Sequence, residues 1–316
     1  MEFSLRPLTA ADIEGVFRLN RRVEEHDSIP IVTPLEEFED WLHDPHFDLT
    51  ADARVAVVEG ALVGWARIWH RPSGEREERA YLLGAVDPDH RGRGIGTALF
   101  TWQRSRAEEK LEAVDEELPR YLRAQAYDFE ESALQLYERQ GMAVVRYQDE
   151  LLRTLADLPP LPHIDGITII PWDQIYSEQA RLVNNDAFAD HWGSTPRDQR
   201  AWEHDLAASG SKLDLSFLAL DHDQVVGLTL NAHFPDDQAV TGRLDGWIFQ
   251  LSVASAYRGR GIASGLIISS LHAFKDASFD HAALGVDSEN LTGAYRLYER
   301  LGFRRMTRSI VHQIRL

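Results

Sequence analysis

The chain has 316 residues, with 33 Lys+Arg against 51 Asp+Glu (formal charge −18), 44% apolar residues and no cysteine. That length holds two domains or one large α/β domain, and the composition is that of a folded protein. The missing cysteine excludes disulfides, thiolate metal sites and a thiol nucleophile; the acidity argues against a nucleic-acid partner.

No apolar run approaches the roughly 18 residues of a membrane span. The start, MEFSLRPLTAADIEG, lacks the basic and apolar regions of a secretory signal, so a cytoplasmic location is expected. In chain order, a first helix is expected within ADIEGVFRLNRRV. RVAVVEGALVGWARIW then reads as a hairpin about the polar turn Glu59–Gly60. A strand (AYLLGAV), a Gly-rich turn (RGRGIG), an amphipathic helix (IGTALFTWQRSRAEEK) and a strand (RYLRAQAY) follow. The next helix ends at Gly141, the residue type favoured just past a helix end, and AVVRYQDELL closes the half. Three prolines in Leu155–Gly166 (LADLPPLPHIDG) remove backbone donors and mark a linker.

Beyond the linker the same order returns. A helix (SEQARLVNNDAF) precedes a hairpin about Asp221–Asp223, a strand (GWIFQLSV), a second turn (RGRGIA) and a helix (IASGLIISSLHAF). A strand (HAALGVD), a helix ending at Gly302 and a last strand (TRSIVHQIRL) complete it. The alternation predicts a mixed α/β fold of the α+β kind. Short identities recur in register: RGRGI at Arg91–Ile95 and Arg258–Ile262, LYER at Leu136–Arg139 and Leu297–Arg300, and Val63–Gly64 with Val226–Gly227. Pro7 with Leu19–Asn20 is matched by Pro171 with Val183–Asn184. Offsets of 161 to 167 residues are too long for a solenoid and imply two similar domains, 1–156 and 165–316, of charge −12 and −6 on either side of residue 156.

Each Gly-rich turn joins a strand to a helix. Free N–H groups at a helix N-terminus, with the helix dipole, favour a phosphate, and glycine lets it approach. Neither turn carries the GK[ST] of a P-loop or the spacing of a dinucleotide fingerprint.

VDPDHRGRGIGTAL and VASAYRGRGIASGL resemble the acetyl-CoA-binding motif of the GNAT superfamily of N-acetyltransferases, Q/R-x-x-G-x-G/A. Arg91, Gly94 and Gly96 match in the first repeat; Arg258, Gly261 and Ala263 match in the second. VDSENLTGAYRLYERLGF resembles the family's second signature, N-x-x-x-A-x-x-L-Y-x-x-x-G-F, through Asn290, Ala294, Leu297, Tyr298, Gly302 and Phe303. The resemblance spans nearly the whole chain as two tandem domains, an arrangement similar to mycothiol synthases and related tandem acetyltransferases. It implies two mostly antiparallel twisted sheets flanked by helices.

The resemblance also implies acetyl-CoA as cofactor. Its pyrophosphate would lie on Arg91, Gly92, Arg93, Gly94, Ile95 and Gly96, or on Arg258, Gly259, Arg260, Gly261, Ile262 and Ala263, with Asn290 nearby. Its pantetheine arm would lie along Gly84, Ala85 and Val86, or Leu251, Ser252 and Val253, where a splayed strand offers backbone groups able to polarise the thioester. Tyr298 would protonate the leaving thiolate. Tyr137 holds the same place in the first repeat, but Phe129 replaces Asn290 and Met142 replaces Phe303, so the second repeat is the expected catalyst.

Many family members carry a Glu on the strand before the turn; Ala80 and Trp247 stand there instead. Glu78 and Asp245 lie two residues earlier on the same strand face, roughly 6.5 Å away. Asp245 is therefore the candidate base, acting through a water; the alternative is a solvated carboxylate at a strand end. His191, Trp192 and Asn185 are candidate acceptor contacts, with a buried structural role the stronger reading. His43 and His46 lack companions at metal-ligand spacing, so no metal is expected. The expected activity is N-acetylation of a small primary amine by direct attack in a ternary complex, by a monomer or homodimer with no nucleic-acid or membrane partner. The alternatives are a mycothiol synthase, against which Trp247 counts, and a non-catalytic acyl-CoA-binding module.

Overall fold

The computed structural model describes residues 2–44, 46–72, 76–114, 117–189, 191–192, 194, 196–208, 210–289 and 293–316. In chain order the first repeat runs β1 (Ser4–Pro7), α1 (Ile13–Asp27), α2 (Leu35–Asp40), α3 (Leu49–Asp52), β2 (Ala53–Val58), β3 (Ala61–His70), β4 (Glu78–Val86), α4 (Ile95–Glu112), β5 (Arg120–Tyr127), α5 (Glu131–Arg139) and β6 (Ala143–Thr154). The second runs β7 (Thr168–Pro171), α6 (Ser177–Ala187), α7 (Gln199–Leu206), β8 (Phe217–Asp221), β9 (Gln224–Ala232), α8 (Asp237–Thr241), β10 (Asp245–Val253), α9 (Ile262–Asp276), β11 (His281–Asp287), α10 (Ala294–Arg300) and β12 (Arg304–Arg315).

The chain forms two compact units, Met1–Arg146 with Ser309–Leu316, and Tyr147–Arg308. In the first, β1 to β4 pair antiparallel in succession, β4 pairs parallel with β5, and β5 pairs antiparallel with residues 309–315 of β12. In the second, β7 to β10 pair antiparallel in succession, β10 pairs parallel with β11, and β11 pairs antiparallel with residues 148–154 of β6. The mixed α/β architecture and the mostly antiparallel sheets are as expected. One detail differs: the sequence reading has each last strand close its own half, and the pairing places most of each in the other unit.

Local chemistry explains the helices. In α1 the apolar residues Ile13, Val16, Leu19 and Val23 fall at helical spacing and are buried. Asp12 accepts from the Thr9 N–H at 3.0 Å and from Arg6 at 2.7 Å, which fixes the short 3-10 turn leading into α1, and Ser28 ends the helix in the left-handed region at φ 57°. On β2 and β3, Val55 and Trp65 join the core under α1 and α2, while their neighbours Ala56 and Ala66 join the core under α4 with Ile95 and Leu99. The second unit repeats this: Leu218 and Leu220 pack with α6 and α7, and Ala219 packs with Ile262 and Leu266 of α9. Each fully buried Leu, Ile or Phe contributes about 1.5–3 kcal/mol. The short elements β1, β7, α2, α3, α7 and α8 escaped the sequence reading, because four to eight residues show too little of a 2.0 or 3.6 period.

Candidate active site

In the second unit β10 and β11 pair only over Asp245–Trp247 against His281–Ala283. Beyond Trp247, β10 stays on β9 as far as Val253 while β11 stays on β6 as far as Asp287. The two parallel strands therefore part, and Leu251, Ser252 and Val253 lie on the parted edge. The first unit does the same: β4 and β5 pair over Glu78–Tyr81 against Arg120–Arg123, after which Gly84, Ala85 and Val86 remain on β3 alone. Such an edge offers N–H and C=O groups that need partners. The units differ in one respect. The β9–β10 register slips between Ile248 and Gln250 and leaves Phe249 65% exposed, whereas β3–β4 pair without a break. A bulge at this point bends the strand and re-aims the groups beyond it.

Each parted strand leads into its Gly-rich turn. Gly94 and Gly261 cap α4 and α9 at φ 86° and 84°, preceded by Gly92 and Gly259 at 73° and 78°. A Cβ at any of the four would meet nothing within 4 Å, so conformation, not crowding, demands glycine. In the second turn the Arg258 N–H donates to Ser255 and the Gly265 N–H to Gly261; between them, the N–H groups of Gly259 to Ser264 find no acceptor among the described residues. In the first turn the same holds for Gly92, Gly94, Ile95, Gly96 and Thr97. Consecutive free N–H groups at a helix start form a cradle for a phosphate.

The arginine side chains act differently from the backbone. Arg91 donates to both carboxylate oxygens of Asp27, at 2.7 and 2.6 Å, and through Nε to the Val86 carbonyl at 3.2 Å. Arg258 donates to the Ala187 carbonyl at 2.9 Å; Arg260 donates to the Asp165 carbonyl at 3.3 Å and lies over Tyr257. Arg91 and Arg258 thus tie their turns to the C-terminal ends of α1 and α6.

The structure brings the second-repeat candidates together. Leu251 packs against the cluster that holds Tyr298 and Phe303, and against the cluster of Ile262 with Val253. Tyr298 is 8% exposed, its ring 6.2 Å from that of Phe303, and its hydroxyl makes no hydrogen bond to a described residue. Burial pushes its pKa up to about 12, so the phenol is protonated at neutral pH. Tyr137 is also raised by burial, but its hydroxyl donates to the Gln125 carbonyl at 3.5 Å. Met142 and Phe303 are both buried, so that substitution preserves a packing position. Phe129, 42% exposed, stacks on Tyr127 at 5.1 Å. Asn290 lies outside the described residues.

Asp245 is not at the parted edge. It sits where β10 and β11 are still paired, and Arg243 donates to it at 3.1 Å through Nε and 2.9 Å through a terminal nitrogen. Its repeat counterpart Glu78 is buried against His70, at 2.9 Å. Asp245 thus stands in an ion pair with Arg243 on the paired stretch of β10, before the two strands part. Asn185 clamps the Arg197 backbone at 2.8 and 2.9 Å, and His191 Nδ1 lies 3.1 Å from the Trp192 carbonyl. Sequence reasoning missed Asn184 and Asp186 of α6. Asn184 Oδ1 accepts from Gln250 at 2.7 Å and Ser252 at 2.9 Å, and Asp186 accepts from the Ser255 N–H at 2.6 Å. Together they hold the parted strand and its exit onto α6. Asn184 was visible only as a repeat marker; its polar side chain on the buried face of a helix was the available signal.

A cradle of free N–H groups beside a parted parallel strand pair defines a site for a phosphate-bearing acyl thioester, and the residues present fit coenzyme A. The model of the acetyltransferase (GNAT) family matches residues 17–142 and 172–303, so the chain belongs to that family: it is an N-acetyltransferase that uses acetyl-CoA. It is 32% identical over 326 residues to the mycothiol acetyltransferase of Parafrankia sp., covering 95% of this chain and 94% of that protein. It is 30% identical over 268 residues to the mycothiol acetyltransferase of Thermomonospora curvata, covering 82% and 81%. Among solved structures it is similar to a GCN5-related N-acetyltransferase from Sphaerobacter thermophilus (TM-score 0.78, 26% identity, 99% of this chain and 95% of that one). It shares its fold with a tandem GNAT protein from the clavulanic acid biosynthesis pathway (TM-score 0.70, 17% identity, 99% and 98%). No helix among the described residues is long and apolar enough to cross a membrane.

Proposed function

We propose that the second repeat transfers the acetyl group to a small primary amine by direct attack in a ternary complex, with Tyr298 as general acid. The observation that carries this reading is the buried Tyr298 phenol, protonated and without a hydrogen-bond partner among the described residues, in the cluster against which Leu251 of the parted strand packs. Backbone N–H groups of Leu251 and Val253, which alternate away from β9, stabilise the developing oxyanion, and those of Gly259–Ala263 hold the pyrophosphate. The amine nitrogen bonds to the thioester carbon, the carbon–sulfur bond breaks, and Tyr298 gives its proton to sulfur. The amine sheds one proton, which restores the phenol, so the proton count closes. The β10 bulge favours the second repeat over the first.

Thiol release from acetyl-CoA over a panel of primary amines tests the proposal, comparing Tyr298→Phe with Tyr137→Phe. Loss confined to Tyr298→Phe supports it; loss confined to Tyr137→Phe moves the chemistry to the first repeat. A narrower reading rests on the 30–32% identity to mycothiol acetyltransferases. Under it, mycothiol lacking its acetyl group is the acceptor, and it must outcompete the other amines in kcat/KM.

A further inference from the structure

The first unit holds a guanidinium with no ion-pair or hydrogen-bond partner among the described residues. Arg67 on β3 lies opposite Leu83 of β4, just past the point where β4 leaves β5. Its guanidinium carbon is 4.2 Å from the Trp41 ring centroid and 5.6 Å from that of Phe47. Its Nε is buried without a hydrogen-bond partner, and Arg67 makes no ion pair among the described residues. Glu37 and Asp44 act on it only at longer range, and desolvation brings its pKa down to about 10. The indoles of Trp41 and Trp65, 5.2 Å apart and each 5% exposed, also carry N–H groups with no acceptor among the described residues. Three unpaired donors therefore sit along one run of contacts, Trp65 to Trp41 to Arg67.

Burying three N–H groups without acceptors is unfavourable, and ring faces offset only part of it. We propose that this cluster binds a small organic carboxylate. The guanidinium fork and the indole N–H groups supply donors for its two oxygens, and Trp41, Trp65, Phe38 and Phe47 wall its carbon skeleton. One cation with two neutral donors matches a single negative charge. The nearby Glu37 and Asp44 disfavour a multiply charged phosphate. The site is distinct from the Gly-rich turn, where the donors are backbone groups, and does not depend on which repeat transfers acetyl. Because Leu83 is on the parted stretch, the carboxylate can arrive free or as the far end of a dicarboxylic acyl thioester.

The test is tryptophan fluorescence and thermal melting of the full chain with benzoate, succinate, their neutral amides, succinyl-CoA and acetyl-CoA. Saturable binding of the free acids, at least ten-fold weaker for the amides and at least ten-fold weaker in Arg67→Gln, supports a free carboxylate. Binding of succinyl-CoA more tightly than acetyl-CoA, with the preference lost in Arg67→Gln, assigns the carboxylate to an acyl group. Arg67→Met is expected to raise the Tm of the free protein and abolish the rise that ligand produces. The proposal is overturned by no saturable response to any carboxylate probe, by amides binding as well as acids, or by Arg67→Met lowering the Tm while the carboxylate response persists.

Discussion

At the residue scale the proposed chemistry turns on one phenol. A proton donor must be protonated at working pH and able to give its proton up, and burial meets the first need by holding Tyr298 at about 12. General acids of this kind contribute roughly 10²–10⁴ in rate. Tyr298→Phe is therefore expected to lower kcat about 100-fold or more with little change in KM for acetyl-CoA, while Tyr137→Phe changes kcat less than about threefold. Equal losses in the two would sink the assignment. The pKa shift also has a sign in stability. The folded value lies above the ordinary 10.0, so the neutral phenol stabilises the fold fully below pH 10, and this contribution is lost as pH rises towards 12. Tyr298→Phe should flatten alkaline unfolding in that window, read by circular dichroism against pH. Asp245 supplies the contrast. Asp245→Asn removes the charged partner of Arg243, whose side chain is 25% exposed, so stability should drop by about 1–3 kcal/mol in urea unfolding. The pH–rate profile should keep its shape; a displaced acid limb would restore Asp245 as the base.

At the element scale the turn and the parted strand work as one device, and most of it was legible. RGRGI shows its glycines directly, and Gly141 and Gly302 stand in the left-handed region just past α5 and α10, at φ 79° and 87°. What could not be read was where the two arginines find their partners in the chain. Arg91 and Arg258 look like phosphate ligands in a string of letters, yet their partners are Asp27, 64 residues away, and the Ala187 carbonyl, 71 residues away. A side chain's direction depends on a neighbour brought in by folding, whereas a positive φ is dictated by the residue itself. Gly261→Ala tests the device. Its Cβ meets no atom of the chain but forces an L-residue into φ 84°, at about 1–2 kcal/mol, and stands beside the cradle. The expected outcome is a KM for acetyl-CoA raised about tenfold or more with kcat reduced less. Gly94→Ala should cost similar stability and leave KM unchanged, if the second turn serves the reaction; the reverse pattern would assign the reaction to the first.

At the scale of the whole molecule, duplication itself explains the largest departure from the sequence reading. AVVRYQDELL and TRSIVHQIRL follow the same kind of helix, share the same alternation, and each suits an antiparallel place beside the same kind of strand. Register along a strand is set by its alternation, but two strands with equivalent patterns have equivalent claims on two equivalent edges. The pairing resolves this with residues 148–154 on β11 and 309–315 on β5. In the first unit the last strand is a structural member: Val311 and His312 are 3% and 5% exposed, Gln313 accepts from Arg123 at 2.7 Å, and Ser309 accepts from Gln125 at 2.6 Å. Arg123, fully buried, would lose that partner if the strand were removed. A chain ending at Arg308 is therefore expected to lose the first unit's stability before the second's. Hydrogen exchange reads this unit by unit: amides of Leu122, Ala124 and Ala126 on β5 should lose about tenfold or more of their protection, and those of Ala282–Leu284 on β11 should keep theirs. Had each last strand closed its own half, the losses would fall on β11 instead, so protection on these two strands decides between the two pairings.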